Sequence, residues 1–222
     1  IEEKVKRPMQ WAVCLLHFNE LPLRHLFQFL DGDTTGPTTL KGPIGTELNN
    51  CEKLPLVKFA SVECEIPDID RSILSKDQQY LLDISSAVQS GICPIDLSHR
   101  EPGPLSHARW LTMANRILRL YVSVEYPSDE HKIVVHFILK SYMPVWFNIK
   151  KSKYLTDGPE HIFQTVKSSR FLPENLLQVI DPVIERNAYF AHPENLMLSM
   201  IVDKRTHIRE LGLRRIIKAR TS

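Results

Sequence analysis

The sequence predicts a mainly α-helical chain, and three observations carry that expectation. Glycine is scarce, 8 of 222 residues, while proline reaches 15; that balance suits helices punctuated by Pro rather than a barrel built on Gly turns. From Ser75 onward apolar residues recur at helical spacing over most of the chain. Helix start and stop signals flank those stripes, beginning with Ser75, Gln78 three residues on, and Gly91 after the last apolar position.

Trp11 to Phe18 is a dense apolar segment just after Pro8. Its length together with Leu23 to Leu30 favours helix over a buried strand, with a kink expected at Pro22. Asp31 to Gly45 holds four Gly and two Pro, which is loop chemistry. Between Asp31 and Asp70 eight acids face three lysines, a net of −5, and only Leu56 to Ala60 looks extended. An irregular acidic connector laid over the surface is expected there. The helix after Ser75 carries Tyr80, Leu81, Ile84 and Val88 as one stripe. In the next, Trp110, Leu111, Ala114, Ile117, Leu118 and Tyr121 share a face opposite Arg109, Thr112, Arg116 and Arg119. One side should pack and the other be basic. Ser128 is expected to cap a helix through Ile133, Val134 and Phe137, which Pro144 should bend or end before Val145-Trp146-Phe147. Pro159, Pro173 and Pro193 read as first-turn residues of three short helices, and a last helix is expected around Arg205 to Ala219. No internal repeat is visible.

Composition narrows the class. Hydrophobic residues make up 43% and charged residues 24%, values that exclude wholesale disorder. The longest run without a polar side chain is Trp11 to Leu16, far short of the roughly 18 residues a membrane span needs. A net charge of +2 does not by itself imply nucleic acid. Cys14, Cys51, Cys64 and Cys93 contain no Cys-x-x-Cys pair, which argues against a closed zinc knuckle and a disulfide scaffold and for a reducing compartment. The chain opens on Ile1 and the charged Glu2-Glu3-Lys4 rather than Met, and is read as an excerpt or a degenerate gene product.

Candidate chemistry is sparse. Nucleotide-binding glycine loops, a Gly-x-Ser-x-Gly elbow and a His-Glu-x-x-His pair are all missing from the sequence. Cys14 and His17, at i and i+3, could give zinc two ligands; core packing of both is the competing reading. Asp31 with Asp33, and Asp68 with Asp70, could hold a divalent ion or be plain solvated charge. Basic residues collect in Lys150, Lys151, Lys153, Lys167 and Arg170, beside Trp146 and Tyr154, and in the last twenty residues, whose net is +5. Such clusters next to aromatics suit phosphates and stacked bases, though helical charge runs also occur as mere solvated faces.

Two motifs in order resemble those of hAT-type transposases: Cys14-Leu15-Leu16-His17 is similar to their Cys/Asp-x-x-His motif, and Ser106-His107-Ala108-Arg109-Trp110 to their Arg-Trp motif. The stretches Asn19 to Leu26 and Arg209 to Ile216 resemble transposon-derived proteins of animal genomes. The resemblance implies an edge of an RNase H-like catalytic core over residues 1–30, the acidic connector over 31–74 and a helical insertion domain over 75–222. It implies a supporting active-site role for His17, stacking of an unpaired base on Trp110 and phosphate contact by Arg109. Arg116, Arg119, Lys150, Lys151 and Lys153 would extend a DNA-binding surface, with no metal ligand in the chain itself.

The chain departs from that family in ways that limit the expectation. About 90 residues separate the two motifs, more than the family usually has, and the family's acidic triad has no counterpart here. Two-metal phosphoryl chemistry needs that triad. The expectation is therefore a nuclear, transposase-like segment that binds transposon-end DNA, admits a homo-oligomer and does not cut DNA alone. Mg or Mn would belong to the intact parent and no cofactor to this segment. The alternative is a non-catalytic helical protein-interaction module derived from a transposon. DNA binding requires Arg109, Arg116, Arg119 and the Lys150 to Lys153 cluster on one continuous surface.

Overall fold

Helix α1, Leu15–Asp31, passes through Pro22 without interruption. Proline removes one helical N–H and crowds the carbonyl four residues back. Leu15, Phe18, Pro22, Leu23, Leu26 and Phe27 are nevertheless all buried on one stripe, so packing holds together what propensity alone would break. The computed structural model describes residues 15–32, 40–106, 110–151, 154–187, 197 and 200–221. Among them it contains helices, turns and extended segments, and no strand.

Helix α2, Pro43–Leu48, and a 3-10 turn at Cys51–Lys53 follow. Asp31 closes α1 and reaches forward to the start of α2, accepting from the backbone N–H of Ile44 at 2.7 Å and Gly45 at 2.9 Å. A helix N-terminus offers unpaired donors, and a buried carboxylate is a strong acceptor for them. The close approach requires glycine: a Cβ on Gly42 would collide with the Asp31 carbonyl, and one on Gly45 would lie 2.5 Å from Asp31 Oδ2.

Residues 54–70 form an ordered strap without regular secondary structure. It is tied to the helices by both backbone and side chains. The Val57 N–H donates to Val122 and the Val62 N–H to Val88, at 3.1 and 3.2 Å; Tyr121 Oη donates to the Ala60 carbonyl at 3.0 Å and Gln89 Nε2 to that of Cys64. Leu40, Ile44, Leu48, Cys51 and Val62 are buried in the same apolar cluster as the helices, so the acidic stretch contributes core as well as surface. Asp70 then caps a 3-10 turn, Arg71–Ile73, by accepting from Ser72 N–H at 2.9 Å.

Helix α3, Lys76–Ser90, has the expected ends: Ser75 N–H donates to Gln78 Oε1 at 3.1 Å, and Gly91 terminates it in the left-handed region at φ +74°. A short turn of helix, α4, spans Ile95–Ser98. Helix α5, Trp110–Tyr121, packs on α3 along one side and meets α1, α2 and the Cys51 turn on others. All of its residues are buried. The solvated basic face expected here is therefore corrected. A 3.6-residue period shows which side of a helix is more apolar, not how many neighbours surround it.

Helix α6, Asp129–Phe137, starts at Ser128, whose Oγ accepts from His131 N–H at 3.2 Å. Pro144 neither ends nor replaces the helical path. A π-helical segment, Ile138–Tyr142, connects α6 to α7, Met143–Lys151. The wider turn lies just before the proline and accommodates its ring and missing N–H. Asn19 Nδ2 donates to the Tyr142 carbonyl at 2.9 Å, fastening α1 to this segment.

Helix α8 spans Tyr154–Ser169, so Pro159 falls in its second turn rather than the first as expected. Pro173 precedes α9, Glu174–Asn187, and its carbonyl accepts from Leu176 and Leu177 N–H, as an N-terminal proline should. Pro193 lies outside the described residues. The last helix, α10, covers Thr206–Thr221, matching expectation within two residues. Central α1 packs against α9 most extensively and also against α5, α6, α7 and α8.

Candidate functional site

The cationic residues singled out on α5 form an internal polar node. Arg116 donates through Nε to the Gly103 carbonyl at 2.7 Å and through Nη1 to the Leu48 carbonyl at 2.6 Å, and pairs with Glu52 at 3.0 Å. Arg119 is 1% exposed. Its Nη2 donates to the carbonyls of Glu52, Leu54 and Ser98, at 3.3, 2.8 and 3.4 Å, and its Nη1 to Ser123 Oγ. A guanidinium carries five N–H donors in a fixed fork, and here the fork draws the turn at Cys51–Lys53 and the strap onto α5. Both side chains hold the fold from within.

Trp110 is likewise internal, 2% exposed, with its indole edge-to-face on Phe27 at 5.9 Å between ring centres. Its burial is a correction to the exposed stacking position the resemblance implied. Arg109, Lys153 and Cys14 lie outside the described residues. Lys150 is half-buried and Lys151 exposed, both in the last turn of α7, where positive charge complements the helix dipole. Arg116 and Arg119 therefore do not share a solvent-facing surface with them.

His17 is exposed, with Nδ1 3.8 Å from Glu20 Oε2. Asp31 is spent on the start of α2, Asp33 is outside the described residues, Asp68 is exposed and Asp70 caps a turn. Among the described residues no group of three or more His, Cys, Asp or Glu could hold a metal ion. Burial pushes the Cys51 thiol up to about 11, against the opposing pull of Arg116, whose Nη1 is 3.7 Å away. It is a buried thiol rather than a nucleophilic thiolate.

Two surface depressions went unnoticed in the sequence. One, about 420 Å³, lies between α1 and α9 and is lined by Leu21, His25, Pro182, Val183, Arg186 and Asn187. Burial lowers the His25 pKa and the neighbouring Arg24 lowers it further. The other, about 470 Å³, borders α3 and α4 near Asp83, Ala87, Ile92 and Arg100. Burial acts to raise the Asp83 carboxyl, but bonds from Arg71 and Arg100 outweigh it and leave it below its ordinary value. Exposed Ile92 and Ile95 stand on that side. The only sequence signal for the first groove is Pro182 within a helical pattern; pairing of two helices so distant in sequence leaves none.

No family model, curated protein or solved structure matches the chain. No described helix is long and apolar enough to cross a membrane.

Proposed function

We propose that this chain is a non-catalytic helical protein-interaction module, its transposon origin suggested by the two motifs that resemble hAT transposases. The observation that carries this reading is the use of Arg116 and Arg119 as internal donors to backbone carbonyls. They are the centre of the basic surface that DNA binding by the α5 region would need. Exposed apolar side chains, among them Phe29, Tyr126, Phe163 and Leu213, are spread over the surface instead. A transposase-like, nuclear DNA-end-binding segment is the second reading, favoured by exposed Arg214 and Arg215 on α10.

Binding of the purified protein to a labelled hairpin-ended duplex, titrated over salt, separates the two. The interaction module predicts no binding at low salt by a folded sample. Tight binding that falls steeply with salt, and is weakened by Arg214→Ala/Arg215→Ala, would replace it with the DNA reading.

A further inference from the structure

We propose that His131 is an acid-sensitive latch for the strap: protonation of its ring displaces Tyr121 and frees residues 55–60 from the helices, while both ends of the strap stay held.

Tyr121, the last residue of α5, joins the imidazole to the strap. Its ring stands edge-to-face with His131, 5.8 Å between centres and at 87°. It also meets the Phe59 ring at 6.2 Å and donates from Oη to the Ala60 carbonyl at 3.0 Å. The next residue, Val122, accepts from the Val57 N–H at 3.1 Å. The middle of the strap therefore depends on Tyr121 and its neighbour. Its ends are fastened elsewhere: Arg119 holds the Leu54 carbonyl at 2.8 Å, and Val62, 3% exposed, donates to Val88 on α3.

The imidazole sits where a charge is costly. His131 is 3% exposed and lies in the first turn of α6, whose unpaired N–H groups disfavour a cation. The Ile117 carbonyl, 3.2 Å away, only accepts, so Nε2 carries the ring hydrogen and Nδ1 is the atom acid would protonate. On its own helix Asp129 pairs with Lys132 at 2.9 Å and Glu130 is exposed. On α5, Arg116 and Arg119 turn to the Cys51 turn and the start of the strap. Neither these groups nor Glu20 and Arg24 of α1, Lys140 of the π-helical segment, or Lys58 and Glu63 of the strap act on His131; burial lowers its pKa to about 4, against the Ile117 bond. Tyr121 remains a neutral phenol, its pKa raised by burial. An imidazolium there is stabilised only by reaching water, and the Tyr121 ring against it moves with it, breaking the Ala60 bond. The strap is the side that yields, because it has no regular structure to break, whereas Ser128 caps the first turn of α6.

Amide hydrogen exchange of the whole chain, read residue by residue by NMR at pH 7 and pH 4.5 with urea raised to about 1 M, tests the latch. The Val57 N–H should report a local opening, insensitive to urea, that is roughly fiftyfold more populated at pH 4.5; an imidazole titrating at 6.5 when freed and about 4 when held sets that factor. The Val62 N–H should exchange only through a urea-sensitive opening of the whole chain. His131→Gln, which can still donate to Ile117, should remove the pH dependence at Val57. Tyr121→Phe keeps the ring and lacks the Oη bond; it should make the Val57 opening about fivefold more populated at pH 7 and leave its pH dependence in place. The latch is overturned if Val57 opens only together with Val62, if its opening is the same at both pH values, or if His131→Gln keeps the pH dependence. The Lys132 N–H, which donates to the Ser128 carbonyl at 3.0 Å, covers the other route. A local, pH-dependent opening there with Val57 unmoved also overturns the latch, since the first turn of α6 would then be what yields.

Discussion

At the scale of single residues the fold depends on a few buried polar groups with defined partners. Arg119 holds three backbone carbonyls, one each from the Cys51–Lys53 turn, the strap and α4. Replacing it by methionine fills similar volume but leaves those acceptors without a donor. An unsatisfied buried acceptor costs about 1–3 kcal/mol, and water can reach the half-buried Glu52 and Leu54. Arg119→Met is therefore expected to cost about 3 kcal/mol, a fall of roughly 6–12 °C in Tm for a chain of this size. Thermal unfolding of that variant beside Arg215→Met, an exposed control, measures it; equal Tm values would show that the node contributes nothing.

His131 makes the same point through pH. Its ring is buried edge-to-face on Tyr121, with Nε2 3.2 Å from the Ile117 carbonyl. Burial lowers its pKa from 6.5 to about 4, more than the carbonyl bond raises it. Between those values the unfolded chain binds a proton that the folded one refuses, so stability falls as pH drops through that window. The slope flattens again below about 4. A shift of this size corresponds to roughly 3 kcal/mol. Urea melts from pH 7 to pH 4 should show the loss, and His131→Gln should remove most of the slope. A wild-type slope retained in the variant would assign it to His25 and His136, whose pKa values burial also lowers, or to carboxylates.

At the scale of elements the strongest dependence is the Asp31 clasp on α2. Gly42 must lie where any side chain would meet the Asp31 backbone. Gly42→Ala is expected to cost at least about 2 kcal/mol through overpacking, and Asp31→Asn about 1–2 kcal/mol, since one of its two acceptor atoms becomes a donor facing an N–H. Differential scanning calorimetry of both variants checks the order. If Gly42→Ala proved neutral, the loop would be able to move away and the clasp would be loose.

Elements also show what could be read in advance. The ends of α3 and the start of α6 were legible because capping is local chemistry: Ser75, Gln78, Gly91 and Ser128 act within four residues of themselves. The run through Pro144 was not, because the π-helical segment that accommodates it is held by Asn19, far away in sequence. The arginines of α5 failed for the same reason. Arg116 and Arg119 look solvated on a helical wheel, and only the arrival of Leu48, Glu52 and Leu54 carbonyls makes burial affordable for a guanidinium. The acidic composition of residues 31–70 gave no sign that their carbonyls serve as the cations' partners.

At the scale of the whole molecule one apolar cluster joins Phe18 of α1, Cys51 and Val62 of the acidic stretch, Trp110 of α5, Phe147 of α7 and Ile184 of α9. Residues 75–222 share that cluster with α1 and the acidic stretch, where the sequence suggests a separate helical insertion. A chain lacking residues 1–74 loses α1, the partner of α9, the carbonyls of Leu48, Glu52 and Leu54 that accept from the α5 guanidiniums, and the Glu52 carboxylate that pairs with Arg116. Arg116 would keep only Gly103, and Arg119 only Ser98 and Ser123, while the apolar faces of α5, α7 and α9 that α1 and the acidic stretch cover would be exposed to water, in a domain whose net stability is ordinarily about 5–15 kcal/mol. The truncated chain is expected to show no cooperative urea transition. The intact chain should unfold in one transition, with far-UV circular dichroism and tryptophan fluorescence coincident. A cooperative transition in the 75–222 piece would instead mean that the acidic stretch and α1 are accessories laid on a helical domain that closes its own core. The guanidinium node would then be rebuilt with water or with other carbonyls, and Arg119→Met should cost little in that piece.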